Sequence, residues 1–155
     1  MYSKILVAVD GSDTSRHALQ QAIELARKLS ASLRMVHVVD MSWLPIGPEF
    51  AIDTGALSAA RRGAGEKIIA AARDAARQAG FEAESGLIET ETPLQRVAEA
   101  IAGDASRWGA ELVMLGTHGR RGFQHLVLGS VAEQMARLSQ APVLLVPSPK
   151  VSPSA

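Results

Sequence analysis

The chain has 155 residues, of which 47% are hydrophobic and 21% charged, which is the size and composition of one folded domain and excludes a disordered protein. Its formal net charge is zero, which argues against nucleic acid or an anionic membrane as a partner, and its lack of cysteine excludes disulfides and thiolate chemistry. The first apolar run is too short for a signal peptide or a membrane span, so we expect a cytoplasmic protein.

The N-terminal third alternates strand and helix patterns. Residues 4–9 form a short apolar run rich in branched side chains, which is typical of a strand buried on both faces. Apolar residues then recur at spacings of three and four over 18–29, which predicts an amphipathic helix capped by Ser12 or Asp13. Residues 33–39 predict a second buried strand.

The middle of the chain continues this alternation after a loop over 41–55 that contains prolines and glycines. Residues 56–79 are rich in helix-forming residues, which predicts a helix that ends at Gly80. A weaker strand is predicted over 81–89. The segment TPLQ at 92–95 has a threonine cap, a proline at the first helical position and a glutamine that completes a capping box, so a helix is predicted to begin there with Leu94 on its buried face.

The C-terminal third predicts a strand over 111–115, a helix over 130–138 and a final strand over 143–146. The order βαβαβαβαβ predicts an α/β fold: a single domain with an open, parallel five-stranded sheet and helices on both faces. We expect this domain to cover residues 1–148 and residues 149–155 to form a flexible tail.

Parallel sheets of this kind bind ligands beyond the carboxyl ends of their strands, where the strand order reverses. Asp10, Val38 and Gly116 all lie near such ends. The last of these residues opens the segment GTHGRRGFQHLVLGSVAEQ, in which glycines would let backbone amides approach a bulky group. Gly129 and Ser130 then open a helix, whose N-terminus suits a phosphate.

The same segment has a simpler explanation. Ser130 and Glu133 match the capping box S-x-x-E, which satisfies a helix start without any ligand. No Gly-Lys-Ser/Thr loop occurs, and no G-x-G-x-x-G follows the first strand. The residue types alone therefore support a phosphate cradle and a plain turn before a capped helix about equally.

The spacing of the glycines resembles a known pattern. Gly116, Gly119, Gly129 and Ser130 match G-x2-G-x9-G-[S/T], the motif of the ATP-binding branch of the universal stress protein family. The VAVDGSD start, the HVVD end of the second strand and the closing APVLLVP are similar to that family too, so the resemblance covers nearly the whole chain. It implies an adenine-nucleotide alpha-hydrolase-like sheet that binds ATP, with Mg²⁺ on the phosphates, and forms homodimers.

The resemblance also assigns roles to individual residues. The phosphates and ribose would be surrounded by Gly116, Gly119, Gly129, Ser130 and Val131. Asp10 would lie beside the nucleoside, and Ala8, Val38 and Leu115 would line the adenine pocket. The dimer would form through the last strand, Val143 to Val146, which the flanking prolines already mark as an edge strand.

Several arginine, histidine and serine residues are further candidates for the site. Arg120, with Arg121 and His118, suits phosphate contacts, although solvated arginines on a loop are equally consistent with the sequence. The four histidines are scattered, so no metal site is predicted, and His37 fits a hydrogen-bonded core position. Ser12 is predicted to cap a helix and not to act as a nucleophile.

The function expected from these features is that of an ATP-binding regulator in a stress response. No catalytic residue is predicted, so we expect at most slow hydrolysis. An ATP-using enzyme, such as a nucleotidyl transferase or a ligase, is an alternative, and so is a stress scaffold without nucleotide. The apolar stretch Trp43 to Ile46 is most simply a local packing element, and an unknown protein partner is compatible with it.

Overall fold

The computed structural model describes residues 1–42, 54–118 and 128–149. Within these ranges strands and helices alternate as the sequence predicts. The elements are β1 (Lys4–Ala8), α1 (Asp13–Leu29), β2 (Ser32–Val39), α2 (Thr54–Gln78), β3 (Glu84–Glu89), α3 (Val97–Trp108), β4 (Leu112–Gly116), α4 (Ser130–Leu138) and β5 (Val143–Val146). The predicted loop residues Trp43 to Ile46 lie outside the described residues.

The five strands form one parallel sheet in the order β3-β2-β1-β4-β5. The predicted α/β architecture is confirmed, and β5 is an edge strand as expected. From β1 the chain first builds outward to β3 and then returns to build β4 and β5 on the other side. The strand order therefore reverses between β1 and β4, which is where open α/β sheets hold their ligands.

Each face of the sheet carries its own core. Side chains alternate along β1, so that Ile5 and Val7 face α1 and α2 whereas Leu6 faces α3 and α4. All three side chains are fully buried. Helices on both faces explain why the strands read as continuous apolar runs in the sequence.

Local side-chain chemistry fixes most helix ends. The Ser12 hydroxyl accepts a hydrogen bond from the Ser15 amide at 3.2 Å, so Ser12 is the predicted cap of α1. Gly80 has φ 67° just after α2, where the Phe81 amide donates to the Ala76 carbonyl at 2.9 Å. This bond keeps Phe81 in the helix terminus, which is why β3 begins later than predicted.

The predicted start of α3 at the TPLQ segment is wrong. The Gln95 amide donates to the Thr92 hydroxyl at 3.1 Å, but these residues close a separate turn. Arg96 then has the extended conformation φ −85°, ψ 155°, and the helix begins at Val97. Leu94 is 90% exposed and so has no place on a buried face. A threonine cap can satisfy a turn as well as a helix, and here the turn forms.

A partly buried ion pair ties α3 to the sheet. Arg34 of β2 donates from Nε to Asp104 Oδ2 at 2.8 Å and from Nη2 to Oδ1 at 3.1 Å. The hydrogen bond with Asp104 raises the pKa of Arg34 above its ordinary value. A Cβ added to Gly86 would lie 2.5 Å from Arg34 Nη2, so the glycine in β3 makes room for the guanidinium.

None of the helices in the described ranges is long and apolar enough to cross a bilayer.

Candidate functional site

A cavity of about 700 Å³ lies at the carboxyl ends of β1, β2 and β4, within the usual range for ligand pockets. The eight predicted site residues that the structure describes all line it. They are Ala8, Asp10, Val38, Leu115, Gly116, Gly129, Ser130 and Val131. Gly119 and Arg120 lie outside the described residues. The reversal of strand order brings together residues that are more than one hundred positions apart in the chain.

The cavity wall is apolar over the sheet and polar at its rim. Val38 and Leu115 come from the strand ends, and Val97 and Ile101 come from α3. Such a wall suits the flat faces of an aromatic ring. His37 also lines the cavity, where its Nδ1 lies 2.7 Å from the Val9 carbonyl oxygen, so the predicted hydrogen-bonded histidine belongs to the cavity wall.

The start of α1 is closed by a side-chain cap. Asp10 Oδ1 accepts from the Ser12 amide at 2.9 Å, and the Ser12 hydroxyl accepts from the Ser15 amide. The Ser15 hydroxyl donates to the Ser12 carbonyl at 3.1 Å. These bonds cap the Ser15 amide and engage the carboxylate of Asp10, a residue that lines the cavity.

The start of α4 has no such closure. Gly129 is its N-cap and offers no side chain, and among the described residues the amides of Ser130, Val131 and Ala132 meet no acceptor. The Gly129 amide itself donates to the Thr117 carbonyl at 2.8 Å. Of these three residues Ser130 and Val131 line the cavity, so unpaired N–H groups and the positive end of the helix dipole border it, which is the arrangement that binds anions.

The capping box considered for α4 does not form. Ser130 is the first helical residue, one position too late to cap, and Glu133 Oε1 accepts from Arg137 Nη2 at 2.8 Å. The Glu133 charge is thus paired along the exposed side of the helix. Ala132 is 2% exposed and packs with Met135 in the core, so its side chain lies away from the cavity.

The two glycines of the motif that the structure describes have different roles. A Cβ on Gly116 would lie 2.6 Å from Thr14 Cγ2, so this glycine allows α1 to pack against the end of β4. Gly129 has φ −58° and ψ 152°, a conformation that any residue adopts. Its lack of a side chain is therefore not required by the backbone and instead leaves the helix start open.

Thr117 and His118 complete the wall between β4 and α4. The Thr117 amide donates to the Val146 carbonyl at 3.0 Å, and the Thr117 hydroxyl lies 2.9 Å from His118 Nδ1. His118 Nε2 is buried and has no hydrogen-bond partner among the described residues. A buried polar atom without a partner is rare in proteins, and it fits a site whose polar contacts are completed by a ligand.

Some wall residues could not be found from the sequence. Arg61 and Gly65 of α2 line the cavity, but the apolar periodicity of α2 does not say which of its turns meets the strand ends. A spacing of four puts the two residues on the same face of a helix, but only the packing of α2 against β2 shows that this face meets the cavity. In the described ranges no group of three or more potential metal-ligating side chains occurs.

The sequence was compared with known proteins. The model of the Universal stress protein family matches residues 1–147. The universal stress protein YxiE of Bacillus subtilis is 32% identical over 154 residues, covering 94% of this chain and 99% of that protein. The solved structure of a protein from the universal stress protein family from Burkholderia pseudomallei is 36% identical, has a TM-score of 0.76 and covers 94% of this chain and 96% of its own.

A more distant structure shares the fold. It is that of the universal stress protein from Archaeoglobus fulgidus in complex with dAMP, which is 24% identical, has a TM-score of 0.64 and covers 94% of this chain and 98% of its own.

Proposed function

Because the chain belongs to the universal stress protein family, we propose that it binds ATP and acts as a nucleotide-dependent regulator in a stress response. The observation that carries the proposal is the open start of α4, where the unpaired amides of Ser130 and Val131 belong to residues that line a cavity of nucleotide size. The complex of the Archaeoglobus fulgidus relative with dAMP supports an adenine nucleotide as the ligand class.

In the proposed complex, the phosphates lie against the amides of Ser130 and Val131. The ribose lies near Asp10, whose carboxylate is held at the rim by the Ser12 amide. The adenine lies against the apolar wall to which Val38 and Leu115 belong. Mg²⁺ would accompany the phosphates, since it takes few protein ligands and neutralises charge that amides alone hold weakly.

We propose a binding protein and not an efficient enzyme. In-line attack on a phosphate needs a group that positions or deprotonates the nucleophile. The two carboxylates of the described wall, Asp10 and Asp40, each accept a hydrogen bond from a nearby amide, that of Ser12 or Ser42. Such engagement favours structural roles, so hydrolysis should be slow. The chain has no cysteine, which fits a reducing compartment, and we assign its action to the cytoplasm.

The proposed assembly is a homodimer through β5. Among the described strands it pairs with β4 alone and so leaves one edge open, and the side chain of its Leu144 is 43% exposed. An apolar edge invites a second strand, and a two-fold copy would supply it. Sedimentation velocity should give the mass of a dimer for the protein and the mass of a monomer for Leu144→Lys.

Isothermal titration of nucleotide-stripped protein with MgATP tests the proposed function. We expect saturable binding that a fluorescent ATP analogue competes for. Absence of heat and of competition at millimolar nucleotide would reject it and leave a nucleotide-free scaffold. Turnover of ATP to AMP with pyrophosphate release would instead favour a nucleotidyl transferase or a ligase.

A further inference from the structure

The end of the cavity at β2 differs from the end at α4 because a charged side chain enters it. Arg61 of α2 is the sole lysine or arginine among the described wall residues. Its Nη1 donates a hydrogen bond of 2.8 Å to the carbonyl of Asp40, the residue that follows β2. A guanidinium carries five N–H donors in a planar fork, so it can hold several acceptors at once.

A glycine explains how Arg61 reaches the strand ends. Gly65 lies one turn further along the same face of α2, and a Cβ there would lie 2.7 Å from Val39 Cγ2 and 3.2 Å from His37 Cδ2. The helix thus approaches β2 more closely than any side chain at this position would allow. The close approach brings Arg61 over the end of β2.

The next residue in the sequence behaves differently. Arg62 forms an ion pair with Glu89 at the end of β3, and its side chain is 53% exposed. It is not among the residues that line the cavity. Two consecutive arginines therefore have separate partners, and only Arg61 is placed to meet a ligand.

The strand order indicates which part of a ligand Arg61 would meet. Since β1 lies between β2 and β4, the ends of β2 and β4 are about 10 Å apart. This step rests on the proposed function: with phosphates at the start of α4 and the sugar beside Asp10, the base extends towards β2. Arg61 then faces the base and not the phosphates.

We propose that Arg61 is a base-selecting residue, whose guanidinium donates a hydrogen bond to a ring nitrogen of the purine. Purine ring nitrogens are acceptors, and arginine offers donors only, so the two match. Ala64 and Ile68 line the cavity beside Arg61. An apolar setting strengthens a charge-assisted hydrogen bond and penalises a base that cannot accept it.

The test measures the affinity of ATP, ADP, AMP and adenosine for the unmodified protein, Arg61→Gln and Arg62→Gln. A contact with the base is common to all four ligands, so Arg61→Gln should weaken each by the same factor, roughly 10-fold. Arg62→Gln is the matched control and should stay within about twofold. A loss that grows with the number of phosphates, or no loss at all, overturns the proposal.

Purine analogues separate a base contact from a structural effect. One of the 1-deaza, 3-deaza and 7-deaza forms of AMP should bind the unmodified protein roughly 10-fold more weakly than AMP, whereas Arg61→Gln should not distinguish them. Arg61→Met, which keeps an apolar stem and removes every donor, serves in the same way if Arg61→Gln unfolds. If the unmodified protein and the variant discriminate equally among the AMP analogues, the proposal is contradicted. If the unmodified protein binds no adenine nucleotide, the proposed function itself fails, a result distinct from a failure at Arg61.

Discussion

The starts of α1 and α4 lie at the same edge of the sheet and border the same cavity, yet only α1 has a side-chain cap. At α1, the Ser12 hydroxyl caps the Ser15 amide, Asp10 accepts from the Ser12 amide, and the Ser15 hydroxyl donates to the Ser12 carbonyl. At α4, the N-cap is a glycine, and the amides of the first turn meet no acceptor among the described residues. The difference supports the proposal that the capped helix start serves stability, whereas the uncapped one offers its amides to a ligand.

Closing α4 in the manner of α1 should have the largest effect. Gly129→Asp supplies a capping acceptor and a negative charge where the phosphates are proposed to lie. We expect MgATP affinity to fall roughly 100-fold or more, about 2.7 kcal/mol, because the amides are occupied and like charges repel. Titration calorimetry measures this change.

The stability of the same variant should move in the other direction. Asp at an N-cap is favoured over Gly by a few tenths of a kcal/mol, so urea denaturation should show Gly129→Asp to be as stable as the unmodified protein or slightly more so. Gly129→Ala is the control, since the backbone at this position accepts it without strain. Unchanged affinity in Gly129→Asp would mean that the phosphates lie elsewhere.

A second variant tests whether Gly116, the other motif glycine that the structure describes, is needed for packing. Gly116→Ala places a methyl group 2.6 Å from Thr14 Cγ2, so we expect the free energy of unfolding to fall by about 1–3 kcal/mol. Thr14→Ser removes that methyl group and keeps the hydroxyl that lies 2.7 Å from Ser148 Oγ. The double variant should recover most of the loss. No recovery in a double-mutant cycle would show that Gly116 matters for another reason.

Opening α1 should affect stability and spare binding. Ser12→Ala removes the cap of a 17-residue helix, so we expect the protein to lose about 1 kcal/mol of stability in urea denaturation. Because the proposed phosphate site is at the start of α4 and not at α1, the affinity for MgATP should change less than about threefold. A loss of affinity as large as that of Gly129→Asp would remove the distinction between the two helix starts.

The smallest effect is expected at Glu133, the residue that was a candidate for capping α4. Its carboxylate is half-exposed and paired with Arg137, so Glu133→Gln should change stability by less than about 0.5 kcal/mol. Removing a negative charge near the helix start should tighten MgATP binding by less than about threefold, most clearly at low salt. Weaker binding in this variant would imply that Glu133 contacts the ligand or its cation.

The sequence predicts the sheet, its parallel pairing and the ends of α1 because those features follow from apolar runs, helical spacing and a local cap at Ser12. It does not predict where α3 begins, since the Thr92 cap satisfies a turn as readily as a helix. The sequence also does not decide whether the start of α4 is capped or open. It depends on whether Ser130 falls at the cap or one position inside the helix.

The residues that line the cavity also divide into those that the sequence can place and those that it cannot. Strand-end residues such as Val38 and Leu115 can be placed from the strand order alone, because the carboxyl ends of parallel strands meet at one edge. Arg61 cannot be placed in this way, because its position in the cavity wall depends on how closely α2 packs on β2. Gly65 allows that close packing, and its contacts are visible only in the structure.

The most direct measurement is the response of backbone amides to ligand, followed by heteronuclear NMR at saturation. We predict that the Ser130 and Val131 amide resonances shift with MgATP and hardly move with adenosine, while those of Asp13 to Ser15 at the closed start of α1 change little in either case. Unmoved α4 amides under saturating MgATP, or equal shifts with adenosine, would contradict the account.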